Sequence, residues 1–162
     1  DRREVDGRPY VRVLLPTRPN GTSGWIPVDR ARLGRTPYRV VIDRATRRLV
    51  VRRDGRVALR ARVVVGAPGS ETPRGEFAIS ERIRRADPRE FTGAWILPIT
   101  AFSGTYRQFA GGPGRIAIHG RGGAALRDPL GSAASHGCVR VDNRVVRWLA
   151  RHLEPGTEVT IR

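Results

Sequence analysis

An Asp-Gly dipeptide between two alternating apolar segments sets the fold class of this chain. Asp54-Gly55 separates residues 48–52 from residues 56–65. A two-residue hairpin turn needs positive φ angles at both central positions, which Asp and Gly tolerate well. The pattern therefore predicts an antiparallel hairpin within a mainly β domain.

The rest of the chain predicts more strands and one helix. Further strands are expected at residues 39–43, 94–99, 115–118 and 157–161, and residues 72–79 predict a turn followed by a strand. Asp142 or Asn143 can cap a helix that ends before Pro155-Gly156. Its apolar face is formed by Val145, Val146, Trp148, Leu149 and Leu153.

The N-terminal region is distinct from this pattern. Residues 10–15 and 25–28 predict two short strands around a turn-rich segment, and residues 30–34 can hold one helical turn. We interpret residues 1–35 either as the remnant of an SH3-like module or as an extension packed on the main domain. Residues 36–162 form the main domain in both interpretations.

Composition limits the functional classes. Thirty-one basic residues against 15 acidic ones give a net charge of +16, which favours a polyanionic partner. Every basic residue is Arg, so coding bias explains part of this charge. No apolar run reaches the roughly 20 residues that cross a bilayer. Because the chain contains no Met, we expect a processed fragment that has lost an export segment.

The chemistry is expected near the single cysteine. Because Cys138 is the only cysteine, the chain can form neither an internal disulfide nor a zinc site made of several thiolates. A thiol becomes a good nucleophile when a nearby base removes its proton, and His119 and His136 flank this one. A lone Cys is more often a buried structural residue, but the Gly-flanked segment Ser-His-Gly-Cys-Val-Arg is a poor place for an inert thiol.

The segment from His119 to Arg140 resembles the signature of the L,D-transpeptidase catalytic domain, the YkuD-like family. That signature is a His, a spacer of mid-teens length, then Ser or Thr followed by His-Gly-Cys, a hydrophobic residue and a polar one. Here the spacer is residues 120–134. Residues 72–77, Thr-Pro-Arg-Gly-Glu-Phe, also resemble the family's Thr-Pro-x-Gly-x-Phe segment. The resemblance covers about residues 37–162.

The resemblance implies a role for each matching residue. Cys138 corresponds to the nucleophile and His119 to the general base, whose imidazole is oriented by the carbonyl of Gly120. His136 and Gly137 correspond to positions that line the acyl site. The backbone of Gly137 and Cys138 is expected to contribute to an oxyanion hole.

Three further residues are predicted to contact substrate. Ser135 precedes the His-Gly-Cys motif, and Tyr106 lies in a Gly-rich loop that can cover the site. Arg140 stands where many family members have Asn. Its guanidinium either reaches the acyl pocket or makes a structural hydrogen-bond network with loop carbonyls.

The resemblance implies a β-sandwich-like fold and a peptidoglycan L,D-transpeptidase. Such an enzyme forms 3–3 cross-links through a cysteine thioester with the third residue of a tetrapeptide stem. Water or a protein amine are alternative acceptors. The implied partners are donor and acceptor stem peptides, anionic wall polymers and carbapenem inhibitors, without a metal or an organic cofactor. The implied location is outside the cytoplasmic membrane, secreted or bound to the wall.

Other functional classes stay open at the level of sequence. A basic β-domain that binds nucleic acid would explain the charge, but aromatic residues are only 6% and no base-stacking motif is visible. A wall-binding module without activity is a second alternative, and another Cys-His transferase such as a sortase is a third.

Overall fold

The computed structural model describes residues 1–162, of which 43% lie in strands. One α-helix, α1, runs from Asn143 to His152. The strands are β1 (Arg2–Val5), β2 (Arg8–Leu14), β3 (Ser23–Pro27), β4 (Tyr38–Asp43), β5 (Arg48–Arg53), β6 (Arg56–Arg62), β7 (Val65–Gly66), β8 (Gly75–Ala78), β9 (Ile83–Arg84), β10 (Trp95–Phe102), β11 (Arg115–His119), β12 (Ala133–Ser135), β13 (Val139–Arg140) and β14 (Glu158–Ile161).

Two larger sheets share one core. The five-stranded sheet has the order β6-β5-β4-β14-β8, and the four-stranded sheet has the order β13-β11-β10-β9. Strands β4, β5 and β14 bury alternate residues, whereas β10 and β11 are buried on both faces over most of their length. A cluster of 22 buried side chains joins both sheets and α1, which packs against β10 and β11. This arrangement confirms the mainly β, sandwich-like fold with one helix near the C-terminus.

The turn that predicted the first hairpin has the expected geometry. Asp54 and Gly55 have φ angles of 49° and 78°, and Arg53 pairs with Arg56 across the turn. A second Asp-Gly turn, at Asp6-Gly7, joins β1 to β2 with φ angles of 50° and 72°. Strand β1 was not predicted, because all four of its residues are exposed and show no apolar alternation.

The predicted helix is confirmed, and its cap is Asp142. The side chain of Asp142 accepts a hydrogen bond of 2.8 Å from the backbone N–H of Arg144. Val146 and Leu149 of α1 are fully buried, as is Leu153 just beyond its end. The helix has ten residues, and no helix of this protein is long and apolar enough to cross a bilayer.

The N-terminal region forms a sheet of its own. Strands β1, β2 and β3 pair in that order, which gives three strands where the sequence predicted two. A short 3₁₀ turn at Val28–Arg30 follows β3, slightly before the helical turn expected at residues 30–34. The division of the chain near residue 35 stays a prediction.

Candidate active site

Parallel pairing of β11 with β13 brings the thiol close to the imidazole. Ile118 pairs with Val139, and His119 pairs with Arg140. In the same register Cys138 lies beside Ala117. Paired residues of adjacent strands, and residues two apart on one strand, point to the same face. The side chains of Cys138 and His119 therefore share one face, opposite the face on which Ile118 and Val139 enter the core.

The loop before the thiol is held by Ser135. Its Oγ donates a hydrogen bond of 2.6 Å to the carbonyl of Cys138 and accepts one of 3.1 Å from the N–H of Gly137. The carbonyl of Ser135 in turn accepts from Ser70 Oγ at 3.1 Å. Ser135 is buried and its hydroxyl is used within the loop, so its visible contacts hold the loop in place. Substrate contact by Ser135 stays a prediction.

Gly137 has a conformation that favours glycine. Its φ angle is +117°, and a Cβ at this position would lie 2.9 Å from Ile116 Cδ1. Its N–H already donates to Ser135, so the oxyanion contact expected from that group would require this hydrogen bond to be given up. The N–H of Cys138 has no acceptor within the protein. In this structure the N–H of Cys138 is therefore the free donor beside the thiol.

The imidazole of His119 is fixed by the residue that follows it. Nδ1 of His119 lies 2.7 Å from the carbonyl oxygen of Gly120. Because a carbonyl only accepts, we assign the proton of the neutral ring to Nδ1, which leaves Nε2 as the basic nitrogen. A Cβ on Gly120 would lie 2.1 Å from Asn143 Oδ1. Close packing therefore requires glycine at the position whose carbonyl orients the ring.

Burial controls the charge of the imidazole and the thiol. The pKa of His119 is lowered to about 4, because desolvation and the charge of Arg140 together outweigh the backbone hydrogen bonds to Gly120 and Thr92, which raise it. Desolvation also raises the pKa of the Cys138 thiol, which a hydrogen bond from the backbone of Ala117 and the charge of Arg140 oppose. At neutral pH the resting site therefore holds a neutral thiol and a neutral imidazole.

The buried guanidinium of Arg140 forms an ion pair with a carboxylate. It is 3% exposed, and its Nη1 makes an ion pair with Asp128. Its guanidinium lies over the ring of Phe91, at 4.8 Å from the ring centroid, and Phe91 also lies 6.2 Å from the ring of His119. Nε of Arg140 is buried without a partner. The structural partner is thus Asp128 rather than the loop carbonyls considered from the sequence.

Three aromatic rings lie beside residues 135–138, which we call the nucleophile loop after the expected role of Cys138. The ring of His136 lies 5.7 Å from that of Tyr106 and 5.0 Å from that of Phe109, centroid to centroid. His136 and Phe109 are exposed and Tyr106 is half-buried. We call Tyr106, Phe109 and His136 the aromatic wall. The predicted Tyr106 thus lies at the site, and Phe109 joins it from the same Gly-rich loop.

Sequence reasoning missed Asn143 as a member of the site, since it considered this residue only as a helix cap. Its Oδ1 accepts hydrogen bonds from the N–H groups of Ala94, at 3.0 Å, and Arg121, at 3.3 Å. Its Nδ2 donates to the carbonyl of Arg121 at 2.7 Å. The amide therefore fixes Ala94 and Arg121, the residue that follows Gly120, to the start of α1.

Neither a metal cluster nor a large cleft marks this site. The chain contains no group of three or more His, Cys, Asp or Glu side chains placed to hold a metal ion. A cleft of about 520 Å³ lies elsewhere, and Arg12, Phe77 and Glu158 are among its lining residues. Cys138 is half-buried, so solvent reaches this residue beside the aromatic wall.

A thiol and a neutral imidazole on one face of paired strands are the side chains that cysteine-dependent acyl transfer uses. The sequence matches the family model of the L,D-transpeptidase catalytic domain, YkuD, over residues 37–161. The chain therefore belongs to the L,D-transpeptidase family.

Relatives and solved structures agree with this family. A Bacillus licheniformis protein named as an L,D-transpeptidase, YkuD, is 32% identical over 125 residues, which cover 77% of this chain and 66% of that protein. An L,D-transpeptidase from Mycobacterium tuberculosis has a TM-score of 0.61 at 15% identity, covering 86% of this chain and 71% of the other. L,D-transpeptidase 3 from that organism, in complex with a faropenem-derived adduct, gives 0.59 at 15% identity, covering 78% and 60%. These structures share the fold, and the chain spans slightly less than two thirds of the curated relatives it matches.

Proposed function

We propose that this protein is a peptidoglycan L,D-transpeptidase that forms 3–3 cross-links through a thioester on Cys138. The donor is a tetrapeptide stem whose third residue is a diamino acid, and the acceptor is the side-chain amine of a neighbouring stem. The observation that carries this proposal is the β11–β13 pairing, which places Cys138 and His119 on one face. The orientation of His119 by Gly120 supports it.

Acylation begins from the neutral pair. Nε2 of His119 takes the proton of the Cys138 thiol as sulfur attacks the carbonyl of the third residue. The N–H of Cys138 lies beside the sulfur to stabilise the oxyanion. The imidazolium then protonates the departing amine, so that the C–N bond breaks, D-alanine leaves and a thioester remains. Because the site disfavours a charged imidazole, the proton is passed on readily to the leaving amine.

Deacylation reverses these roles. The acceptor amine attacks the thioester carbonyl, and His119 takes the proton that this nitrogen loses. The C–S bond breaks, and His119 returns the proton to sulfur. With water as acceptor, the same steps release a tripeptide, which is carboxypeptidase activity. The substrate lies outside the cytoplasmic membrane, so we propose the same location for the protein.

Intact-protein mass spectrometry after incubation with imipenem tests the nucleophile. We expect one adduct on the wild type and none on Cys138→Ala, because Cys138 is the only thiol. His119→Ala should be acylated about 10²–10⁴-fold more slowly, which is the usual loss for a general base. His136→Ala should lose less, because His136 is assigned to the aromatic wall rather than to proton transfer.

Turnover of disaccharide-tetrapeptide tests the reaction itself. We expect 3–3 linked dimers and free D-alanine, both absent with Cys138→Ala. Dimer formation by Cys138→Ala would contradict the mechanism. An imipenem adduct without release of D-alanine would instead indicate a wall-binding protein with an unproductive site. Tripeptide without dimers would identify water as the acceptor.

A further inference from the structure

The N-terminal sheet contacts the loop that carries the aromatic wall. The turn between β2 and β3 places Arg18 against the connection between β10 and β11, residues 103–114. Nη1 of Arg18 donates to the carbonyl of Ser103 at 2.6 Å, and Nη2 donates to the carbonyls of Tyr106 at 2.9 Å and Pro113 at 3.1 Å. The guanidinium also lies over the ring of Phe102, 4.9 Å from its centroid. One side chain thus holds both ends and the middle of this loop.

Asn20 makes a second attachment at the same place. Its Nδ2 donates to the carbonyl of Phe102 at 2.8 Å, and its Oδ1 accepts from the N–H of Phe102 at 2.8 Å. This reciprocal pair resembles the pairing of two strand residues and fixes the end of β10. Both residues precede residue 37, where the family match begins. They are therefore features of this chain outside the matched catalytic domain.

The contacts continue from the loop to the nucleophile. The hydroxyl of Ser103 accepts from the N–H of Tyr106 at 3.0 Å, and Thr105 Oγ1 donates to the carbonyl of Gly69 at 2.8 Å. The side chain of Tyr106 packs on His136, two residues before Cys138. Arg18 binds the backbone carbonyl of the same Tyr106, so loss of Arg18 removes one of the hydrogen bonds that hold the backbone of the aromatic wall.

We propose that Arg18 and Asn20 are positioning residues for the aromatic wall, against which the substrate binds. They hold residues 103–114 so that Tyr106 and Phe109 stand beside the nucleophile loop, and the catalytic domain depends on the N-terminal sheet for this placement. A guanidinium that donates to three carbonyls suits this task, because its rigid, planar set of N–H donors fixes all three carbonyls at once. The identity of the substrate in this inference rests on the proposed function.

Arg18→Ala tests the placement directly. Amide hydrogen exchange in residues 103–113 should rise about tenfold or more, because three carbonyl contacts are lost. KM for the tetrapeptide should rise about tenfold with a smaller change in kcat, since the wall contributes binding more than chemistry. Alkylation of Cys138 by iodoacetamide should stay within about twofold of wild type. Arg18→Lys keeps the charge without the fork and should give intermediate exchange and KM.

Arg8→Ala is the matched control. Arg8 lies in the same sheet and pairs with Asp29, at 2.9 Å, without touching the loop. It should change neither the exchange nor KM. Unchanged exchange in residues 103–113 with Arg18→Ala would overturn the proposal, as would raised exchange with unchanged KM. If the wild type processed no tetrapeptide, the proposed function would fail, while the exchange comparison and imipenem acylation rates would still decide the positioning role.

Discussion

Lowering the pH from about 7.5 to about 5.0 should destabilise the folded protein through His119. The side chain is 3% exposed, and burial lowers its pKa to about 4. In the unfolded chain the ordinary value is about 6.5. Between these values the unfolded state binds a proton that the folded state does not. The stability that depends on the neutral ring is therefore complete above about pH 6.5 and is lost as the pH falls toward about 4.

The size of the loss follows from the two pKa values. Proton linkage with pKa values of about 4 and about 6.5 gives a decrease of about 2 kcal/mol in the free energy of unfolding between the two pH values. Carboxylates contribute little in this range, because their ordinary pKa values lie at about 4. All other charged groups are the same in the proteins compared, so their contribution to the pH dependence of stability cancels in the comparison.

Urea denaturation followed by tryptophan fluorescence measures this loss. Wild type and His136→Gln should both lose about 2 kcal/mol, because His136 is exposed. His119→Gln has no ring to protonate, and we expect it to lose less than about 0.5 kcal/mol, whatever its stability at the higher pH. An equal loss in His119→Gln and wild type would refute the assignment of a buried, neutral His119.

Three further substitutions test the contacts around the site. Asp128→Asn should lower the free energy of unfolding by about 2 kcal/mol, because it leaves the charge of Arg140 buried without a carboxylate. Urea denaturation measures this loss, and an unchanged midpoint would contradict the prediction. Arg140→Lys should lose most imipenem acylation with little change in the pH at which the thiol titrates, because Lys lacks the planar guanidinium that bonds Asp128 and stacks on Phe91. Acylation of this variant at the wild-type rate would show that the positive charge alone suffices. Gly120→Ala should lower the free energy of unfolding by about 1–3 kcal/mol and slow imipenem acylation, because its Cβ would displace the Asn143 amide. A wild-type acylation rate together with an unchanged melting temperature would exclude that clash.

Local sequence signals predicted the longer strands of the main domain, the helix and the candidate Cys–His pair. Asp54-Gly55 predicted its hairpin because the turn depends on those two residues alone. Asp6-Gly7 forms a similar turn, but β1 beside it has four exposed residues without apolar alternation, so the dipeptide alone did not predict that strand. Spacing and resemblance to the family together indicated Cys138 and His119, because the motif that contains them is local.

The charge state of the pair was not available from the sequence. His119 and Cys138 owe their shifted pKa values chiefly to burial, which depends on everything packed around them. The charge of Arg140 lowers the pKa of the Cys138 thiol, but desolvation is the larger effect and raises that pKa.

The residues that hold the site in place were decided by the tertiary structure. Asn143 bonds residues 22 and 49 positions away, and Arg18 bonds carbonyls 85 to 95 positions away. No periodicity or turn signal predicts such partners, because each contact forms only when distant strands and loops pack together. The sequence alone therefore indicated the candidate reactive groups, while the long-range packing of the folded chain decided which residues surround and orient them.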